Sequence, residues 1–292
     1  TQREKAQIDH EGDRRHELVE PLTSYFVGRL QKDINEGNTL VGGIITAVNR
    51  EDGLENRLHR SAYSGGLDFQ QFWKNRTWSL TARAVFSHVS GSKEAILNTQ
   101  TSFEHLFQRP NADHLKVDPN RTALTGHGGT IRFGKFGGKQ GKLGQVFKFE
   151  TGVTWRSPEL ETNDIGFMLA ADEINHFTWA GYQFQRQFSI FRNLRFNYNH
   201  WSRWDFGGQH IYQAFNTNAH AIFNSNWQIG SGVTWNPLEI SNNALRGGSS
   251  LRRPAGIGQF AYLGSDFRKK LAVNLNTFNA WGFEKTVQIN DL

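Results

Sequence analysis

The stretch "VFKFETGVTWR", residues 146–156, sets Phe147, Phe149, Thr151, Val153 and Trp155 against Lys148, Glu150, Gly152, Thr154 and Arg156. A two-residue period with one apolar and one polar side is the signature of a β-strand whose two faces meet different surroundings. The pattern recurs in "RTWSLTARAVFSH", residues 76–88, where Trp78, Leu80, Ala82, Ala84 and Phe86 alternate with Thr77, Ser79, Thr81 and Arg83. It recurs again in "NLRFNYNHW", residues 193–201, where Leu194, Phe196 and Tyr198 oppose Arg195, Asn197 and Asn199. Weaker versions run through "TLVGGIITAVN", "SAYSGGLDFQQFW", "GTIRFGKF", "HFTWAGYQFQ" and "NWQIGSGVTW". Roughly 12 to 15 segments result, many near the 9 to 11 residues of a tilted membrane-crossing strand rather than the usual ~5 to 6 of a soluble one.

The links between these segments come in two kinds. "KNR", "NSN" and "SDFR" are tight and polar, whereas "REDGLENRLHR", "RPNADHLKVDPNR" and "NPLEISNNALRGGSSLRRPAG" are long. Short turns at one end and long loops at the other are expected of an outer-membrane barrel. Gly-Val-Thr-Trp occurs twice, at residues 152–155 and 232–235, each time followed within three residues by a Pro. Hairpins of roughly 40 residues would give the two copies one direction, so both should end at the same rim, where Pro interrupts pairing. Around "SFEHLFQRP" no strand parity can be assigned, which suits an irregular or short helical insert.

Composition narrows the functional classes. The 292-residue chain has no Cys, which removes disulfides, thiolate metal sites and cysteine nucleophiles. Mean hydropathy is −0.59 and no apolar run is long enough for a spanning helix, but a β-barrel is compatible with such an average. The net charge of +6 is spread singly rather than in basic runs, so no nucleic-acid partner is expected. Residues 1–20, "TQREKAQIDHEGDRRHELVE", read as a charged linker or loop without the apolar core of a secretory signal, and residues 21–292 as the barrel region.

Trp73, Trp78, Trp155, Trp179 and Trp235 are assigned to an aromatic girdle at the membrane interfaces, with sugar stacking as the functional alternative. Arg83, Lys148, Glu150, Arg156, Arg195 and Asn197 alternate with the apolar face and are the lumen or rim candidates. The most enzyme-like stretch, "NDIGFMLAADEINHFTW", carries Asp164, Asp172, Glu173 and His176, which could do acid–base work if they converged; a polar rim is the plainer reading. No HExxH or dense His/Asp spacing occurs, so no metal and no cofactor is expected. "GHGGTIRFG" lacks the order of a phosphate loop and reads as glycines that bend the sheet or let strands approach closely.

Four long stretches carry a resemblance: "PLTSYFVGRLQKDINEGNTLVGGIITAVNR", "HRSAYSGGLDFQQFWKNRTWSLTARAVFSHVSGSKEAI", "TSFEHLFQRPNADHLKVDPNRTALTGHGGTIRFGKFGG" and "NDIGFMLAADEINHFTWAGYQF". From about Pro21 onward the chain resembles the C-terminal barrel region of a Bacteroidota family catalogued as domain of unknown function 5916. Its members commonly carry an N-terminal family-nine-like carbohydrate-binding module, absent here. The resemblance implies an antiparallel transmembrane β-barrel in the outer membrane of a Gram-negative bacterium, and older family labels speak of membrane-associated hydrolases. No catalytic residue is transferred, because no catalytic motif maps onto this sequence. The chain ends "VQINDL" rather than on a terminal aromatic, which suggests a portion of a larger barrel completed by further strands or partner proteins.

The functional expectation is an outer-membrane protein that takes up, passes or captures a solute, with a glycan-derived one as the candidate. Two alternatives stand beside it: a barrel-associated hydrolase acting on carbohydrate or ester substrates, and a soluble carbohydrate-binding β-sandwich.

Overall fold

The computed structural model describes residues 1–10, 12–283 and 288–291. Two sheets and one helix account for its regular structure. A hairpin of β1 (Glu4–His10) and β2 (Asp13–Glu20) stands apart. A 14-stranded sheet follows: β3 (Thr23–Ile34), β4 (Thr39–Arg50), β5 (Ser61–Trp73), β6 (Trp78–Ser90), β7 (Ala123–Lys135), β8 (Gln145–Arg156), β9 (Glu173–Phe184), β10 (Phe191–Trp204), β11 (His210–Phe223), β12 (Gln228–Ser241), β13 (Leu251–Arg253), β14 (Gly256–Gly264), β15 (Asn274–Gly282) and β16 (Gln288–Asp291). Every pairing is antiparallel between chain neighbours, except that β12 pairs both the short β13 and β14. The helix α1 (Lys93–Thr101) lies between β6 and β7. None of the described helices is long and apolar enough to cross a membrane.

The register carries the alternation of each strand across the sheet. Leu80, Phe133, Thr151, Thr178, His200, Phe215, Trp235, Ile257 and Trp281 are successive partners from β6 to β15. Trp78, Lys135, Phe149, Ala180 and Tyr198 form a parallel row on the same side. On the other side run Asp68, Arg83, Thr130, Thr154, Asn175, Arg203, Tyr212 and Glu239. One face is therefore apolar and the other polar over the breadth of the sheet. At the paired positions of β4–β12 the apolar face carries a single Lys, Arg, Asp or Glu, namely Lys135, the last residue of β7.

The core lies on the polar side, the reverse of a soluble sandwich. Val48, Ala62, Val89 and Leu124 project from the polar face near the long-loop end, and Ile96 of α1 packs among them. A second cluster joins Leu160, Met168 and Ala171 of the loop after β8 to Val85 of the same face. Nothing in the described residues covers the apolar face: Ile45, Leu67, Phe86 and Ile131 are each half or more exposed, Leu67 at 66 %.

Long connections (51–60, 91–122, 157–172, 242–255) gather at one end of the strands. Tight turns at 35–38, 74–77 and 224–227 lie at the other. The turns hold their length because Asn35, Glu36 and Gly37, and likewise Lys74, Asn75 and Arg76, adopt the left-handed conformation that reverses an antiparallel pair.

Several expectations need correction. Residues 1–20 are not a linker: cross-strand pairs such as Asp9↔Arg14, bonded at 3.0 Å, with Gly12 at φ +88°, support a hairpin where the composition suggested only charge. Trp155 and Trp235 do lie on strands of one direction and one face, but Pro237 does not end β12. It sits where the β11–β12 register shifts, and pairing resumes at Leu238 opposite Gln213. The helix falls at Lys93–Thr101, just before the stretch where the pattern failed. The sheet is all-β and antiparallel as expected, yet the described strands do not close it: β3 pairs only with β4, and β16 only with β15.

Ile96 is fully buried where α1 meets the polar face. Ile96→Ala should cost about 2–5 kcal/mol of local stability, seen as faster protease cleavage within residues 91–122 while the far-UV strand signal is unchanged. Equal cleavage in both proteins would contradict this packing.

Candidate functional site

The polar face is filled at its long-loop end by two segments that fold back over it. α1 begins where Ser92 caps it, accepting from the Ala95 N–H (3.1 Å), with Glu94 in the first turn. The chain then runs irregularly to residue 122. The second segment, 157–172, lies directly on β7, because Gly126 leaves room: a Cβ there would collide with the Leu160 backbone. Its Glu161 N–H donates to Ser87 Oγ of the polar face (2.9 Å). The close approach read into "GHGGT" is thus real, and its cause is this inserted loop.

Charged side chains fasten the insert. Asp164 accepts from Arg50 at the end of β4 and lies 2.7 Å from His59 Nδ1. His59 Nε2 lies 2.7 Å from Thr99 Oγ1, whose own proton goes to the Ala95 carbonyl, so both His59 nitrogens are asked to donate. His105 is fully buried with Nδ1 on the Pro158 carbonyl (2.7 Å) and Nε2 on Glu161 (3.0 Å), again two acceptors. Arg121 holds Glu159 with two parallel bonds of 2.8 Å. Burial pushes the Asp164 and Glu161 carboxyls up, but hydrogen bonds and charge from His59 and Arg50, and from His105 and the Asn163 N–H, bring both below the ordinary carboxylate range.

Between this insert and strands β9–β12 lies a cavity of about 720 Å³. Phe177, Trp201 and Tyr212 supply ring surface to it, and Glu173, Arg203 and Glu239 supply charge. Arg203 donates from Nε to Asn175 (2.7 Å), reaches Glu173 at 3.4 Å and lies 5.5 Å over the Tyr212 ring. Glu173 also takes Arg156 at 2.6 Å, and Glu239 takes Arg253 at 2.7 Å. Arg109, in the insert, binds Asp172 through Nη2, while its buried Nε has no partner.

Beyond the cavity the polar face carries a ladder of side-chain amides. Trp179 donates to Asn197 (3.2 Å), Asn197 to Asn218 (2.7 Å), Asn218 and Asn199 to Asn216 (2.6 and 3.0 Å), and Asn216 to Thr234 (2.8 Å).

The sequence candidates fall as follows. Arg83, Lys148, Glu150, Arg156, Arg195 and Asn197 all project from the polar face. Trp73 and Trp78 pair at the short-turn end and Trp155 stands at the long-loop end, all on the apolar face with Trp235. Trp179 departs from the girdle assignment: it is mid-strand on the polar face, held by Asn197, because its parity in β9 matches Glu173 rather than His176. Of the four acid–base candidates, Asp172, Glu173 and His176 border the cavity and Asp164 does not, and both acids there are held by arginines. Asp164 binds Arg50 and His59, Asp172 binds Arg109 and His114, Glu173 opens the polar face of β9, and His176 lies on the apolar face beside His200.

His114, Asp172 and Asp205 place one donor atom each within 4.8 Å of one another. Both Asp172 oxygens are engaged, one by Arg109 and the other by His114 (2.9 Å) and the Phe206 N–H (3.0 Å). A cation there would face the Arg109 guanidinium, so the donor set is explained by the ion pair itself. Sequence reasoning missed Phe177, Trp201, Tyr212 and Glu239, although the repeated Asn in "NYNH" and "NTN" signals the ladder.

The lowered carboxyls set a pH dependence. Each stabilises the insert fully above the unfolded carboxylate pKa of about 4 and loses that contribution as pH falls through its lower folded value. Hydrogen exchange in residues 157–172, corrected for intrinsic rate, should therefore rise below about pH 4 while strand amides stay protected. Asp164→Asn should raise that exchange at neutral pH; indifference to both changes would remove the latch role.

A search of curated proteins found no match. The sequence signature of one family, described as "Domain of unknown function (DUF5916)", matches residues 1–291, which is nearly the whole chain. On that coverage, the protein belongs to the DUF5916 family.

Proposed function

We propose that this chain forms the membrane-embedded barrel of a bacterial outer-membrane protein that passes or captures a solute. The observation that carries the reading is the uncovered apolar face running from β4 to β12 while the core sits on the opposite, polar side. An exposed apolar surface of this extent in water would be an association site, whereas hydrocarbon accommodates it. Lys135 at a strand end and Trp73, Trp78 and Trp155 near the rims match the placement of charge and indole at an interface.

In this reading the polar face lines the interior. The two sheet edges must be paired, with each other or with further strands, since hydrocarbon does not tolerate unpaired backbone groups. The cavity under the insert, with Trp201 and Tyr212 rings beside Arg203, Glu173 and the partnerless Arg109 Nε, suits a polyhydroxylated solute such as a glycan fragment. Asp172 and Glu173 border the cavity but are each engaged by arginines, and Asp164 is tied to Arg50 and His59, which gives the hydrolase alternative little support from those residues.

Fractionation of native envelopes tests the proposal: the protein should enter the outer membrane and run as a folded band whose mobility shifts on boiling. Leu67→Arg and Ile131→Arg, mid-strand on the apolar face, should each cost about 2–4 kcal/mol and lower membrane yield, while Thr130→Arg on the polar face should not. A soluble protein, or equal loss from all three variants, would contradict the reading.

A further inference from the structure

Resting on the barrel reading, we infer that the pore selects anions, through a band of unpaired cations on the polar face. Arg83 of β6, Arg132 of β7, Lys148 of β8 and Arg195 of β10 all project from that face. Arg83, Arg132 and Arg195 are exposed and Lys148 is half-buried. None of the four stands within ion-pair distance of an acid among the described residues.

The acids of the same face are already committed. Asp68 faces Arg29 at 3.6 Å, Glu173 is shared by Arg156 and Arg203, and Glu239 is held by Arg253. Asp33 accepts from the Gly37 N–H at 2.6 Å in the β3–β4 turn. Asp33 and Glu150 are left without an ion-pair partner among the described residues, two carboxylates against four cations. A pore wall with that surplus concentrates anions and repels cations, the means by which rings of Arg and Lys select in other pores.

The backbone is shaped to present this band. A Cβ at Gly152 would stand 2.9 Å from Arg132 Cγ and 2.8 Å from Phe177 Cε1. Its absence lets the Arg132 side chain extend across β8, with its guanidinium 5.3 Å from the centre of the Phe177 ring. Lys148 lies opposite Gly181, over which the Trp179 ring is folded. The band crosses β6 to β10, away from the buried ion pairs that fasten the insert. Solutes bearing carboxylate or phosphate are the class it favours.

The test is the reversal potential of the full chain in a planar bilayer under a KCl gradient, with chloride and potassium as the probes. The expected result is a chloride-to-potassium permeability ratio above one. Arg83→Glu/Arg132→Glu/Arg195→Glu should bring it below one, and the Gln triple variant should fall between, with boil-sensitive gel mobility showing that each has folded. Potassium selectivity in the wild type, or a ratio unmoved by the Glu variant, would overturn the inference. Folded, membrane-inserted protein with no conductance would instead overturn passage itself, leaving capture.

Discussion

The rest of the structure depends on one constraint: side chains alternate across each strand with period two, and the pairing register keeps one face predominantly apolar from β4 to β12. A slip of one residue between β7 and β8 would set Glu150 or Gly152 opposite Phe133. The tight left-handed turns at residues 35–37 and 74–76 fix strand ends and so guard that register. A sheet built this way has an apolar side too extensive to leave in water and a polar side that must find its own partners.

Those partners come from the chain itself. The insert of residues 91–122 and 157–172 supplies apolar contacts to Val48, Val85 and Leu124, and it brings its own charges in pairs. His59 and His105 each bridge two acceptors, and Asp164 and Glu161 complete their bonds inside the fold, so burying the insert leaves few charges unmatched. Glycines make the approach possible, most directly Gly126 beneath Leu160. The same economy leaves room for the cavity beside Trp201 and Tyr212, where the insert stops covering the face.

Much of this was legible in residue order. The parity of "RTWSLTARAVFSH", "VFKFETGVTWR" and "NLRFNYNHW" places Leu80, Phe149 and Phe196 on one face and Arg83, Lys148 and Asn197 on the other, and the structure agrees at each. Loop lengths foretold which end carries the insert. Three features were hidden for physical reasons. Trp179 was placed by its type rather than its parity, although Glu173 and Trp179 are separated by an even number of residues in β9. The hairpin of residues 4–20 pairs two strands rich in charge, with Asp9 facing Arg14, and such residues look like a solvated tail until two strands are laid side by side. The cavity is assembled from residues of the insert and of six strands, β8 to β13, a juxtaposition made only by tertiary pairing.

The central claim is that the apolar face meets lipid and the polar face meets water. Because the chain has no Cys, single cysteines can be introduced along β7 and spin-labelled without background. In bilayers, labels at Gly129, Ile131 and Phe133 should be accessible to oxygen and shielded from a water-soluble nickel chelate, with the opposite result at Gly128, Thr130 and Arg132. Accessibility that fails to alternate, or nickel contact at both sets, would contradict the account.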